Sequence, residues 1–498
     1  MFRKSLVVRA LAIAFGAAAA SLAVSPLAYA QSNATGTVYG TVPAGAGDTI
    51  AFESLATNAK RSTTPDGNGK FQVTSLPPGR YKVQLMKGAT VVSTTEVEVL
   101  LGQGVEATFA LAAAGTQVLQ SVQVVGSRTV IDVTSTNGGS TFTAKELSVL
   151  PVAQNITAIM QLAPDVVKAD PRYAGGASVG GGAPSENSYY INGFPVTNPL
   201  TQLGSMELPY GAIQQAQILT GGFGAEFGRS TGGVVNITTK SGSNEFHGGV
   251  SYSIAPNSLR SRDKNIYYES GANPATDGTI YKFNHDNSST ETTLGAYIGG
   301  PIIKDKLFFF FAGDQATTKT SGNSSDPNDL LGNIESATKG SNGWTDSKDV
   351  NQRYLAKIDW NITDNHRLEY TGIGDNWKTD ASYYGFDYTT LQRFGGPVYT
   401  AHYENQGGLT PRVGGTANML KYTGNLTNDL TLTALYGEMS SKHAQTYNPD
   451  LGGSIPGAIF LSGDTSKAPG VNYGTSQPLS GQNLNSAGGK DKTKSYRL

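Results

Sequence analysis

From residue 247 onward, apolar side chains return at every second position. Val250, Tyr252 and Ile254 alternate with Ser251 and Ser253, and Leu294, Ala296 and Ile298 repeat the pattern. Ala356, Ile358 and Trp360 fall on one strand face and Leu368 and Tyr370 on the next; Leu420, Tyr422, Gly424 and Leu426 precede Leu430, Leu432, Ala434 and Tyr436. A period of two places one apolar and one polar face on each strand, the lipid-out, lumen-in arrangement of a membrane barrel. Beyond the N-terminal leader no segment approaches the ~20 apolar residues of a membrane helix, so a membrane crossing here is made by strands. Long polar links at 314–353 and 376–414 alternate with the short turns TDNH and Thr427-Asn428-Asp429, as external loops alternate with periplasmic turns. Strand starts fall near 247, 291, 307, 354, 367, 415 and 430, followed by a polar tail. An odd strand count leaves an edge unpaired, and the expectation is that 247–498 is only part of a barrel. The run LFFFFAG fits an aromatic girdle better than strict alternation, with a packed core as the other reading.

The N-terminus points to export. Arg3, Lys4 and Arg9 precede an apolar run from Ala10 to Val24, and Ala28-Tyr29-Ala30 supplies small residues for cleavage before Gln31. With no cysteine in the chain, lipid-modified cysteine, disulfides, zinc-thiolate sites and cysteine nucleophiles are all excluded. A net charge of -1 argues against nucleic acid as the main partner.

Residues 31–112 divide into short β-rich runs separated by PDGNG at 65–69 and PPG at 77–79, the spacing of a small all-β sandwich. The stretch GNGKFQVTSLPPGRYKVQL resembles the core of carboxypeptidase regulatory-like domains, which are transthyretin-like sandwiches. A zinc peptidase needs a His-x-x-Glu pair, and His366-Arg367-Leu368-Glu369 has those letters. It lies where a turn enters a strand, however, and residues three apart on a strand point to opposite faces, so they cannot share one metal. The sequence predicts no enzyme, no metal and no cofactor.

Residues 113–130 read as a linker containing a short β-prone segment, Val122, Gln123, Val124 and Val125, open to strand addition by a partner or serving as an edge strand of the next domain. Residues 131–246 mix helix and strand. Ile156, Ile159, Met160 and Leu162 recur at helical spacing, with Asn155 as N-cap and Pro164 near the end. The stretch GGFGAEFGRSTGGVVNITTKSG (221–242) invites a phosphate-loop reading. Such a loop requires a following helix, whereas VVNITTK is β-branched and alternating. It therefore reads as a small-residue turn region where backbones pass closely before a strand.

INGFPV (191–196) and QAQILTGGFGAEFGRSTGGVVNITTKSG (215–242) closely resemble the plug domain of TonB-dependent outer-membrane receptors. The residues that carry the likeness are Asn192, Gly193, Gly221, Gly224, Gly228, Arg229, Gly232, Gly233, Asn236, Thr239 and Lys240. LQSVQVVGS (119–127) resembles the TonB box, which assigns TonB pairing to Ser121, Val122, Gln123, Val124 and Val125. With the sandwich, GGPIIKDKLFFFF and the long loops, the chain is similar to the Oar-like subgroup. The resemblance implies a mainly β chain: a transthyretin-like sandwich, an α+β plug at 131–246, and the first part of a 22-stranded transmembrane antiparallel barrel at 247–498. It also implies residence in the Gram-negative outer membrane and uptake of a siderophore, vitamin, glycan or peptide. The work comes from TonB with its ExbB–ExbD energising complex. Glu226 and Arg229 read as either a tie between plug and wall or a surface ion pair; Tyr189, Tyr190 and Phe194 as either ligand-facing or core. The rival function is a cell-surface adhesion or matrix protein, which needs neither the plug pattern nor a lipid-facing strand face.

Overall fold

The computed structural model describes residues 34–43, 48–109, 137–150, 152–168, 176–199, 202–228, 230–268, 277–323, 343–387, 390–404, 406–407, 410–411, 414–427, 430–448, 459–460, 475–476 and 486–497. The leader and the TonB-box segment Ser121–Val125 lie outside them.

The first unit is a sandwich of β1 (Gly36–Thr41), β2 (Thr49–Ser54), β3 (Lys60–Thr63), β4 (Lys70–Leu76), β5 (Gly79–Lys87), β6 (Thr90–Val99) and β7 (Gly104–Glu106). One sheet has the order β4-β1-β7 and the other β3-β2-β5-β6. Alternation drives the assembly: Tyr81, Val83 and Leu85 of β5 point inward to meet Val38, Phe52, Phe71 and Val99 in one core. β3 is an addition to the strands legible in the sequence, since KRST has no apolar face. Tyr81 is buried with its hydroxyl donating to Pro77 O at 3.0 Å.

The second unit contains β8 (Gly138–Thr143), α1 (Ala144–Val149), α2 (Ile156–Met160), β9 (Val166–Lys168), β10 (Ala177–Val179), β11 (Ser188–Ile191), β12 (Phe194–Pro195), β13 (Ile213–Gly221) and β14 (Val234–Thr239). Thr143 and Glu146 close a capping box on α1, and the Asn155 side chain accepts from Ala158 N at 2.8 Å to cap α2. The main sheet runs β12-β11-β14-β13-β8, and every residue of β14 is buried. VVNITT is thus the central strand, with no helix behind the glycines.

The third unit is the wall. Its strands are β15 (His247–Ala255), β18 (Ser288–Ile303), β19 (Leu307–Asn323), β20 (Trp344–Thr363), β21 (His366–Asp387), β22 (Gln392–Glu404), β25 (Gly415–Asn425), β26 (Thr431–Asn448) and β29 (Ser486–Arg497). Small two-stranded pairs accompany it: β16 (Ile266–Tyr267) with β17 (Ile280–Lys282), β23 (Gln406–Gly407) with β24 (Thr410–Pro411), and β27 (Ile459–Phe460) with β28 (Thr475–Ser476). Among the described residues the wall is an open sheet with β15 and β29 at its edges.

Three expectations change here. First, the polar stretches are largely strand. β19, β20 and β21 are 17, 20 and 22 residues long, well beyond the ~9–11 residues that cross a bilayer, and their surplus ends are polar on both faces. Second, two strands were not foreseen, β22 and β29, because QRFGGPVYTAHYE and SAGGKDKTKSYR show no apolar alternation. β22 and β25 descend one track between β21 and β26. Lys378 pairs with Glu404 and Asp375 with Gly415, so the ladder on β21 passes from the end of β22 to the start of β25 at Gly415. A Cβ at Gly415 would meet Ser440 O at 1.9 Å with φ at +142°, which restricts that position to glycine. Third, LFFFF does alternate: Phe308 and Phe310 are buried on the inner face while Phe311 is 48% exposed on the outer one. Both faces of the strand are apolar there, which hides the period.

Elsewhere the outer face matches the sequence pattern. Val250, Tyr252, Ile254, Leu294, Ile298, Ile358, Trp360, Leu420 and Tyr436 are exposed on it, a surface suited to lipid and unfavourable in water.

Burial pushes the Tyr81 phenol up to about 12. A raised pKa in the fold means stability that is complete below the unfolded value near 10 and is lost as pH rises through the folded value. We expect urea unfolding of the sandwich to lose about 2 kcal/mol between pH 8 and pH 11.5, and Tyr81→Phe to flatten that dependence while costing roughly 1 kcal/mol at pH 8. An equal alkaline loss in the Phe variant would remove Tyr81 as its cause.

Candidate functional site between plug and wall

The plug sheet and the wall are separate sheets, so their side chains must hold them together. Their apolar faces form a single core. Ile159, Met160, Ile191, Phe194, Met206, Leu208, Ala216, Ile218 and Ile237 of the second unit cluster with Phe310, Ala312, Leu355, Ile373, Ala417, Met419, Leu435 and Met439 of the wall. Phe194 lies so close to the wall that a Cβ at Gly437 would stand 2.5 Å from its ring. Among the sequence alternatives for the aromatic residues, Phe194 and Tyr189 are core. Tyr190 is half-buried, its hydroxyl donating to Phe227 O at 2.6 Å and its ring edge-on to Phe227.

The hairpin β11–β12 turns at Asn192 and Gly193, with φ of +50° and +86°. Two consecutive positive values suit Asn-Gly and are strained for other residues. Asn192 then ties three elements: its N donates to Ile237 O, its Oδ1 accepts from Thr239 N at 3.0 Å, and its Nδ2 donates to Thr239 Oγ1 at 2.9 Å and to Thr371 Oγ1 of β21 at 3.4 Å. Asn236 is buried in the sheet and donates to Gln217 Oε1 at 3.4 Å. Lys240 leaves the plug with its ammonium 4.4 Å from the centre of the Tyr297 ring on β18, and burial lowers its pKa.

The glycines serve different ends. Gly233 passes Val179, which a Cβ would approach to 2.5 Å, and its N donates to Asn187 Oδ1 at 2.9 Å. Gly232 runs against Asn187 and Glu186, while Gly228 has a φ of +60°. Gly224 lies beside the flexible Glu226 side chain, and Gly221 faces open space at the end of β13. Arg229 lies outside the described residues, and so does its expected part, with Glu226, in a tie between plug and wall or a surface ion pair.

The strongest polar ties come from residues that the sequence did not single out. On β20 the inward positions are Asn351, Arg353, Leu355, Lys357 and Asp359, alternating with Tyr354, Ile358 and Trp360 outside. The Arg353 side chain is only 3% exposed and forks onto Asp314 of β19, Nε to Oδ1 at 2.7 Å and Nη2 to Oδ2 at 3.0 Å, while Nη1 reaches Glu207 Oε2 at 2.7 Å. Glu207 belongs to the segment before β13, where Met206 and Leu208 are buried on either side. Glu207 N donates to Asp375 Oδ2 at 3.0 Å, and Tyr210 N to Asp314 Oδ2 at 3.2 Å. Further along the wall, Lys357 donates to Ser241 Oγ at 2.8 Å and joins Asp359, Glu369, Arg367 and Lys421 in one ionic cluster. The available clue was charge at the inward positions 353, 357 and 359 of one strand, but the plug partners Glu207 and Ser241 lie over a hundred residues away in sequence.

His366 opens β21 and stacks on Tyr422, 2.7 Å from its hydroxyl, and Glu369 is taken up by its cations. Among the described residues no cluster of three or more His, Asp or Glu could hold a metal.

Comparison with known proteins follows this division. The TonB-dependent Receptor Plug Domain matches residues 117–235, and an Outer membrane beta barrel domain matches residues 238–333. The TonB-dependent transporter Oar of Myxococcus xanthus is 30% identical over 309 residues, covering 59% of this chain and 27% of that protein. The chain is thus similar to TonB-dependent receptors, and to Oar among them. The chain spans about a quarter of the length of the curated relative it matches. Among solved structures, the siderophore receptor PirA of Acinetobacter baumannii is 18% identical, with a TM-score of 0.36 over 62% of this chain and 44% of that one. The outer membrane transporter YddB of Escherichia coli is 13% identical, with a TM-score of 0.36 over 63% and 46%.

Arg353 neutralises two carboxylates from opposite sides of the seam between plug and wall. Arg353→Ala leaves a buried Asp314 without its cation, an error worth about 3–5 kcal/mol. We expect a matching drop in the urea stability of the plug in detergent-solubilised receptor, partly spared in Arg353→Lys, which keeps the charge and loses the fork. An unchanged midpoint in Arg353→Ala would show that the fork does not hold the plug.

Proposed function

We propose that this chain works as an outer-membrane transporter, taking up a substrate with energy delivered by TonB. The reading is supported by one observation above the others: among the described residues the plug packs on the inner face of a lipid-compatible wall and shares no β-ladder with it. A wall with an apolar exterior suits the outer membrane. A plug joined to it by a shared core, an arginine fork and a few hydrogen bonds is firm at rest, yet can shift without breaking a β-ladder. The outer membrane has no ATP, so the work must be imported, and strand addition supplies a mechanical grip.

The named parts follow from this. Ser121, Val122, Gln123, Val124 and Val125 form the TonB-binding strand, and ExbB–ExbD energises TonB from the cytoplasmic membrane. Substrate, a siderophore, glycan or peptide, meets the external hairpins of the long wall strands and the plug's outer loops. A load on the box reaches the plug, and the contacts at Glu207, Tyr210, Asn192 and Ser241 are those that must release. The leader is removed before Gln31 on export, and the sandwich serves as a carboxypeptidase regulatory-like accessory domain without a catalytic partner.

The test uses the full-length receptor in a Gram-negative host. It should fractionate with outer membranes and co-purify with TonB; Val124→Pro, which removes a strand N–H, should abolish TonB capture and leave the fractionation unchanged. Recovery as a freely soluble periplasmic protein, or TonB capture indifferent to proline at both Val122 and Val124, would refute the proposal.

A further inference from the structure

The plug sheet has a second face. Opposite the apolar core, Gln215, Gln217, Asn236 and Thr238 form a polar surface, and all four are buried. What covers the two glutamines is the sandwich, at the turn after β6. Leu101 N donates to Gln215 Oε1 at 2.7 Å, Gln215 Nε2 donates to Val99 O at 3.3 Å, and Gln217 Nε2 donates to Leu101 O at 3.0 Å. Gln103 Nε2 adds a bond to Thr141 Oγ1 of β8 at 3.3 Å. Two carboxamides thus satisfy the main chain of one turn as a neighbouring strand would. The approach requires glycine: Gly102 has a φ of +63°, and a Cβ there would stand 2.5 Å from Gln217 Nε2. Leu101 itself is fully buried.

The sandwich also touches the barrel, in a different way. Asn58 Nδ2 donates to Asp305 Oδ1 at 3.0 Å, and Asn244 Nδ2 donates to the same oxygen at 2.7 Å, both exposed. Asn244 N donates to Ala56 O at 2.8 Å, and Arg367 and Glu369 lie within electrostatic reach of Tyr81. The sandwich therefore bridges plug and barrel turn, and a displacement of the plug has to open one seam or the other. Buried, mutually satisfied polar groups are costly to separate, because each is left unpaired, whereas exposed ones exchange partners with water at little net cost.

We propose that the sandwich is a fixed extension of the plug, clamped by Gln215 and Gln217, and that the seam which opens when the plug shifts is the one at Asn58, Asn244 and Asp305. The sandwich then travels with the plug, a role in force transmission that needs no ligand of its own. The inference rests on the transport reading only for what drives the shift; the test below needs neither TonB nor substrate, so its failure leaves that reading in place.

Amide hydrogen exchange on the full-length receptor in detergent compares two N–H groups, one closing each seam. We expect the Leu101 amide to exchange about tenfold or more slowly than the Asn244 amide, after correction for intrinsic rates. Gln217→Ala, which does not touch the acceptor of Leu101 N, should speed Leu101 exchange about tenfold while Asn244 and the sandwich-core amide of Val83 stay unchanged. Should Val83 also lose protection, the sandwich itself has been damaged, and Thr141→Val, which removes only the acceptor of Gln103, makes the same comparison. Equal or greater protection at Asn244, or a Leu101 rate indifferent to both substitutions, would overturn the proposal.

Discussion

Where the wall strands pack on the plug they have lipid on one side and the plug on the other, and that requirement organises the rest of the molecule. Outward positions such as Val250, Leu294, Ile358 and Trp360 are apolar and exposed, as lipid demands. Inward positions that face the plug are removed from water, and the apolar ones, Phe310, Leu355, Ile373 and Met419, join its core. Inward charges are then acceptable only with partners, and Arg353 and Lys357 meet Asp314, Glu207, Ser241 and Glu369. The plug, equally, is a thin sheet with short helices whose apolar side is completed by the wall.

This mutual completion explains which features were legible beforehand. The outer face could be read because lipid imposes a strict period of two. β14 could be read because VVNITT is β-branched at every position but Asn236, and α2 because Asn155 caps a run at helical spacing. The Phe308–Phe311 run concealed its alternation because plug and lipid ask for the same chemistry. β22 and β29 stand on the polar parts of the sheet, where neither face is under apolar selection, and no periodic signal survives.

The candidate site was legible in one half. The glycines of 221–233 declared a close backbone passage, and Gly233 makes it against Val179 and Asn187, whereas the Asn192-Gly193 turn is a feature of the structure that the strand-like run SYYINGFPV concealed. The wall half was not: Arg353, Asp314, Asp375 and Thr371 acquire meaning only from partners on the plug, and a single strand's alternation says which way a residue points, not what it meets. The polar face of the plug at Gln215 and Gln217 was hidden for the same reason, since QAQ within a strand looks like an ordinary solvated edge until the Val99–Gln103 turn covers it. Lateral ties of this kind, strong in sum and individually replaceable, are what a part that must both seal and move requires.

Residues 1–498 contain no cysteine, so once any cysteine elsewhere in the full-length receptor is replaced the most direct test is open. Single cysteines placed in turn at residues 353 to 360 of the full-length receptor, spin-labelled and reconstituted in bilayers, report which side of β20 each faces. The account predicts strict alternation: labels at 354, 356, 358 and 360 collide with dissolved oxygen in the lipid, while those at 353, 355, 357 and 359 are immobile and shielded from both oxygen and a water-soluble relaxation agent. Uniform exposure to the aqueous agent, or a pattern without a period of two, would contradict it.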